Sequence, residues 1–70
     1  MNINKAVDKA YESKTFKEIA DSPVEALQGV SAHDGELLQQ SFNVKTVRDL
    51  ATLKYVRWAQ AIVNLADTEE

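Results

Sequence analysis

Ser31, His33 and Asp34 bring a nucleophile, a base and a carboxylate within four residues of one another. A working triad needs the histidine between the other two, with hydrogen-bond reach on both sides. Positions i, i+2 and i+3 at a helix start do not face one another that way. Ser31 and Asp34 instead have the spacing of a helix cap, so no catalytic residue is assigned and the chain reads as non-enzymatic. His33 with Asp34 and Glu36 is the nearest approach to a metal site. It is the one histidine of a chain without cysteine, so no second nitrogen or thiolate completes a ligand set, and neither a metal nor a cofactor is expected.

Charge offers more. The net charge is −3, which argues against a polyanion as the main partner. Its distribution is uneven. From Ile19 to Val44 there is no Lys or Arg, while Lys45, Arg48, Lys54 and Arg57 follow against Asp49 alone. Lys45 and Arg48, and again Lys54 and Arg57, are three apart and share a helix face. Tyr55 and Trp58 lie beside the second pair, and Trp and Tyr lead the residues that anchor interfaces. With five aromatics in the chain, Trp58 is expected chiefly in the core. It serves a partner as well if its helix lies at a dimer seam.

These residues need helices to position them. Seventy residues with two glycines and one proline make one domain, and helical spacing recurs where strand alternation does not. Ile3, Ala6, Val7, Ala10 and Tyr11 form a stripe predicting a helix over 4–12, capped by Asn2 or Asn4. Thr15 and Glu18 form a capping box for a short helix to Asp21, with Phe16, Ile19 and Ala20 inward. Ser22 caps a restart in which Pro23 takes the first helical position, with Val24 and Leu27 facing the core.

Gly29 suits a positive φ. Ser31 and Asp34 open a helix over 32–41 that buries Leu37, Leu38 and Phe42 and ends at a left-handed Asn43, with Val44 packed behind it. Gly35 costs that helix about 1 kcal/mol against alanine and predicts another helix close above it. Thr46 and Asp49 cap a helix with Val47, Leu50 and Ala51 inward. Thr52 is placed to cap the last helix, over about 53–66. That helix has an unusually broad apolar face, and Asp67 to Glu70 follow as a frayed tail. Lys14 to Ala20 matches Lys45 to Ala51 in residue type, 31 residues on.

Val24 to Ser31, Leu37-Leu38, Phe42 to Val47 and Asp49 to Ala51 together resemble the helix-hairpin-helix (SAM-like) family over residues 24–51. The resemblance implies a hairpin whose backbone amides and nearby cations hold phosphate. In this chain those positions are Gly29, Ser31 and His33, with Lys45 and Arg48 following. Asp34 and Glu36 stand next to them and repel phosphate, which the helix dipole cannot offset at ~0.3–1 kcal/mol.

The expected fold is therefore all-α, a compact bundle of four to five short helices with a helix-hairpin-helix core and a longer C-terminal helix. The expected function is a small interaction module that binds a protein partner or itself. Its candidate partner-binding residues are Lys54, Tyr55, Arg57 and Trp58. The alternative is weak, non-sequence-specific nucleic-acid binding through Gly29, Ser31, His33, Lys45 and Arg48. No small-molecule substrate is evident. No window reaches the roughly 20 apolar residues that span a bilayer. The polar N-terminus and absent cysteine point to a cytoplasmic setting.

Overall fold

A computed structural model describes residues 3–69 of the chain. They form four α-helices: α1 (Phe16–Ala20), α2 (Ala32–Phe42), α3 (Val47–Thr52) and α4 (Lys54–Thr68). Three single 3-10 turns precede or separate them, at Ile3–Lys5, Lys9–Tyr11 and Val24–Ala26. The fold is all-α, and the described residues hold no strand beyond two isolated backbone bridges.

The first three helices begin on reciprocal caps. Thr15 Oγ1 accepts from the Glu18 amide at 3.1 Å, and Glu18 Oε1 accepts from the Thr15 amide at 2.9 Å. Ser31 and Asp34 repeat the exchange at 3.0 and 3.1 Å. Thr46 and Asp49 do so again, and the Asp49 carboxylate also accepts from the Lys45 amide at 3.1 Å. Each box satisfies amides that the first helical turn leaves bare. α2 closes at Asn43, which takes the left-handed conformation at φ 57°. The amides of Asn43 and Val44 fold back onto the carbonyls of Gln39 and Leu38, and Val44 is buried behind them. Gly29 adopts φ 94°, a conformation an L side chain would strain. α1 and α3 are the two copies of the internal echo, and they pack on one another.

The buried core is small: Val7, Ile19, Val24, Ala26 and Val44. Two antiparallel bridges, Val7 with Leu27 and Pro23 with Thr46, draw distant segments around it. The Asp8 amide donates to Ala26 O at 2.7 Å and the Gln28 amide to Ala6 O at 2.9 Å. The Val24 amide donates to Lys45 O at 2.9 Å and the Val47 amide to Ser22 O at 3.1 Å.

Several expectations are corrected. Residues 4–12 are two 3-10 turns rather than one α-helix, because the bridge at Val7 takes the backbone out of helical register. Ile3 falls in the first turn, its burial outside what is described, and Asn2 lies outside the described residues altogether. Pro23 stands one residue before its turn, with ψ 150°. The Ser22 hydroxyl donates to Glu18 O at 2.6 Å, at the end of α1, and does not cap the turn at Val24. Phe16 is 72% exposed, Ala51 is exposed, and Leu37 and Phe42 are about half exposed, so the core takes fewer large side chains than the stripes suggest. Leu27, Leu38, Val47 and Leu50 are half-buried. The Thr52 hydroxyl donates to Arg48 O at 2.8 Å and ends α3, leaving α4 to start on Leu53 without a side-chain cap. α4 also runs on to Thr68, whose hydroxyl donates to Leu65 O at 3.1 Å.

Gly35 is buried, as its cost in helicity implied, but its close neighbour is a side chain rather than a helix. A Cβ there would meet the Glu25 carboxylate, with Cδ at 2.6 Å and Cγ at 3.1 Å.

Candidate interaction surface

α4 is fifteen residues long and none of them is buried. Val56 alone is half-buried, and residues 57–69 are all exposed. A helix of n residues spans about 1.5n Å, so α4 extends some 22 Å, and α3 is its chief neighbour. The radius of gyration of the chain is 13.7 Å, against about 11 Å for a globule of this length.

Among its exposed side chains Tyr55, Trp58, Ile62 and Leu65 are ordered along one apolar face, with Val63 at the margin about 100° around from Ile62. Trp58 is 58% exposed, Ile62 66% and Leu65 69%, with Tyr55 and Val63 exposed beside them. Trp58 is thus corrected from core to surface. The aromatic end of this face continues onto α2. Phe42 meets Tyr55 edge to face at 6.3 Å, and Tyr55 meets Trp58 the same way at 5.7 Å. Such pairs fix ring orientation, since a positive ring edge prefers a negative ring face. The Lys54 ammonium lies 5.1 Å from the Tyr55 ring centre and 5.5 Å from that of Trp58, a distance at which the cation is attracted to both rings. Lys54, Tyr55 and Trp58 therefore form one cluster. Arg57, the fourth candidate, lies about 100° around the helix from Trp58 and toward its polar side.

Phe42, expected in the core with Leu37 and Leu38, is half exposed at the last residue of α2. Its exposure there has no signature in residue type.

The ends of α4 carry their charges in an unusual order. Its first turn has Lys54 and Arg57 and no acid; its last turn has Asp67 and no base, with Glu69 next. The bare amides of a helix N-terminus favour anions and the bare carbonyls of its C-terminus favour cations. Both ends of α4 oppose that rule.

The turn that leads into α2 is arranged differently. Gly29, Ser31 and His33 are exposed at the start of α2. The Asp34 carboxylate turns back onto the Ser31 amide, where a phosphate would have to sit. That bond and the one from Ser31 Oγ hold the Asp34 carboxyl below its ordinary value. Arg48 is engaged as well: its Nε donates to Asp21 Oδ1 at 2.8 Å, which raises its pKa further. Lys45 is exposed, its own amide bound to Asp49. The structure does not draw the Ser31 hydroxyl, His33 and the Asp34 carboxylate into a relay. The serine oxygen accepts from the Asp34 amide, and the carboxylate accepts from the serine's.

Among the described residues no three His, Asp or Glu side chains stand together as a metal site. No helix there is long and apolar enough to cross a membrane. Comparison of the chain with known protein families, with curated proteins and with solved structures finds no match.

Proposed function

We propose that this chain is a non-enzymatic helical interaction module that docks a protein through the apolar face of α4, with Phe42 extending the face. One observation carries the reading: a fifteen-residue helix presents Tyr55, Trp58, Ile62, Val63 and Leu65 to solvent with no buried residue of its own. Helices of this length are marginal in water without a packed face, and contiguous exposed apolar surface marks interaction sites. Lys54, Tyr55 and Trp58 are the anchor cluster, and Arg57 serves as a flanking charge. The likeness of residues 24–51 to helix-hairpin-helix domains belongs to this reading as a relationship of fold. A cytoplasmic setting fits a chain without cysteine.

Phosphate binding at Gly29, Ser31, His33, Lys45 and Arg48 is the weaker reading. Asp34 occupies the hairpin amide and Arg48 is paired with Asp21.

The test is a photo-reactive amino acid placed at Ile62, in the middle of the face, and at Gln60 on the polar side, in cells that make the protein. Adducts are identified by mass spectrometry. A defined protein adduct at Ile62, absent at Gln60, is expected. Equal adducts at both positions, or none at either, overturn the reading.

A further inference from the structure

The proposed docking face has a pattern of its own. Tyr55, Trp58, Ile62 and Leu65 are spaced 3, 4 and 3 residues apart, the alternation that aligns side chains along the seam between two helices. All four are exposed. We infer that the occupant of this face is a second copy of the chain, with the two α4 helices laid antiparallel about a twofold axis. This inference rests on the docking role proposed above.

Charge selects the partner and its direction. Lys54 and Arg57 stand at the end of α4 where cations are unfavourable, and Asp67 and Glu69 at the end where anions are. In an antiparallel pair each N-terminus lies beside the other copy's C-terminus. The Lys54 ammonium then faces the partner's terminal carbonyls and its Glu69, and each misplaced charge becomes a favourable one. A parallel pair would instead bring Lys54 to Lys54 and Glu69 to Glu69. An antiparallel pairing also sets Tyr55 against Leu65 and Trp58 against Ile62, twice over, large against aliphatic.

Area agrees. At 150–250 Å² for an aromatic side chain and somewhat less for an aliphatic one, the exposed fractions of Tyr55, Trp58, Ile62 and Leu65 leave roughly 500 Å² of apolar side chain per copy, and about 600 Å² with Phe42. Complete coverage of that area in two copies buries about 1,200 Å², the lower bound of specific interfaces. The contact is isologous, so it closes at two and leaves no open face for a fibre.

Sedimentation equilibrium of the full chain, from low to high micromolar, is the measurement. The mass is expected to rise from 7.8 kDa toward twice that value. Ile62→Glu is expected to weaken association about tenfold or more, with amide spectra of residues 3–53 unchanged. Direction is read separately. The chain has no cysteine, so Lys54→Cys and Glu69→Cys variants can be mixed under oxidation. Antiparallel pairing predicts the mixed 54–69 disulfide, while 54–54 and 69–69 products would overturn the arrangement. A monomer at every concentration, or association indifferent to Ile62→Glu, overturns the second copy as occupant. A different protein captured at Ile62 in cells would then leave the docking role standing, whereas no capture would remove both.

Discussion

Within residues 3–53 every α-helix starts on a side-chain cap, whereas α4 starts on Leu53, which offers none. The first region buries five small apolar residues and ties its ends together with backbone bridges. α4 buries nothing and carries Tyr55, Trp58, Ile62, Val63 and Leu65 exposed on its surface. The capped region is stabilised by contacts within a few residues and by a minimal core. The uncapped helix has neither a side-chain cap nor a buried face among the described residues. Local rules of helix initiation therefore account for one region and not for the other, and the helix they leave unexplained is the one proposed to dock a partner.

The largest test of this contrast is Val44→Ala. Val44 is 1% exposed, and truncating a packed aliphatic side chain costs about 2 kcal/mol. In a domain of this size that is a large share of the total. Urea melts are expected to show the loss equally at all protein concentrations, because the defect lies in the capped region. A concentration-dependent loss would mean that the two regions are not separable.

A smaller effect comes from the caps. Thr46→Ala is expected to cost about 1 kcal/mol in the same melts. Acid acts on the same devices. The carboxyls of Glu18, Asp34 and Asp49 are lowered, chiefly by the backbone amides of Thr15, of Ser31, and of Lys45 with Thr46. Lowered folded-state values mean that the unfolded chain binds protons first. Their contribution is complete above the ordinary values of 4.5 and 3.8 and is lost as pH falls through the lowered ones. Thermal stability should therefore decline below about pH 4.5, and Asp34→Asn should flatten part of that decline. Stability that is level down to pH 3 would contradict it.

The smallest effect belongs to Gly35. Gly35→Ala removes a helix penalty of about 1 kcal/mol but meets the Glu25 side chain. Alone it is expected to be near neutral. With Glu25→Ala the helix gain appears, and the double variant melts above the parent. Additive single effects in a double-mutant cycle would show that the two residues do not touch.

The capped helices were legible in the sequence because a cap is a four-residue statement: Thr15 with Glu18, Ser31 with Asp34 and Thr46 with Asp49 each name their own hydrogen bonds. The special conformations at Gly29 and Asn43 were legible for the same reason. The N-terminal stripe misled because Val7 pairs with Leu27, twenty residues away, and a helical period carries no trace of that partner. At the candidate surface, type and spacing single out Lys54, Tyr55 and Trp58, which lie together in the structure, but periodicity identifies an apolar face without saying what covers it. Trp58 was therefore assigned inward, and Phe42 joined the surface unannounced.

The two bridges have a consequence for how freely this chain can vary. Their bonds run from the amides of Asp8, Val24, Gln28 and Val47 to backbone carbonyls, so they ask nothing of a side chain except that it not be proline. At Asp8 and Gln28, which are not buried, almost any other residue leaves the tie intact. Distant kin of this domain would accordingly share the spacing of its ties and caps far more than its letters.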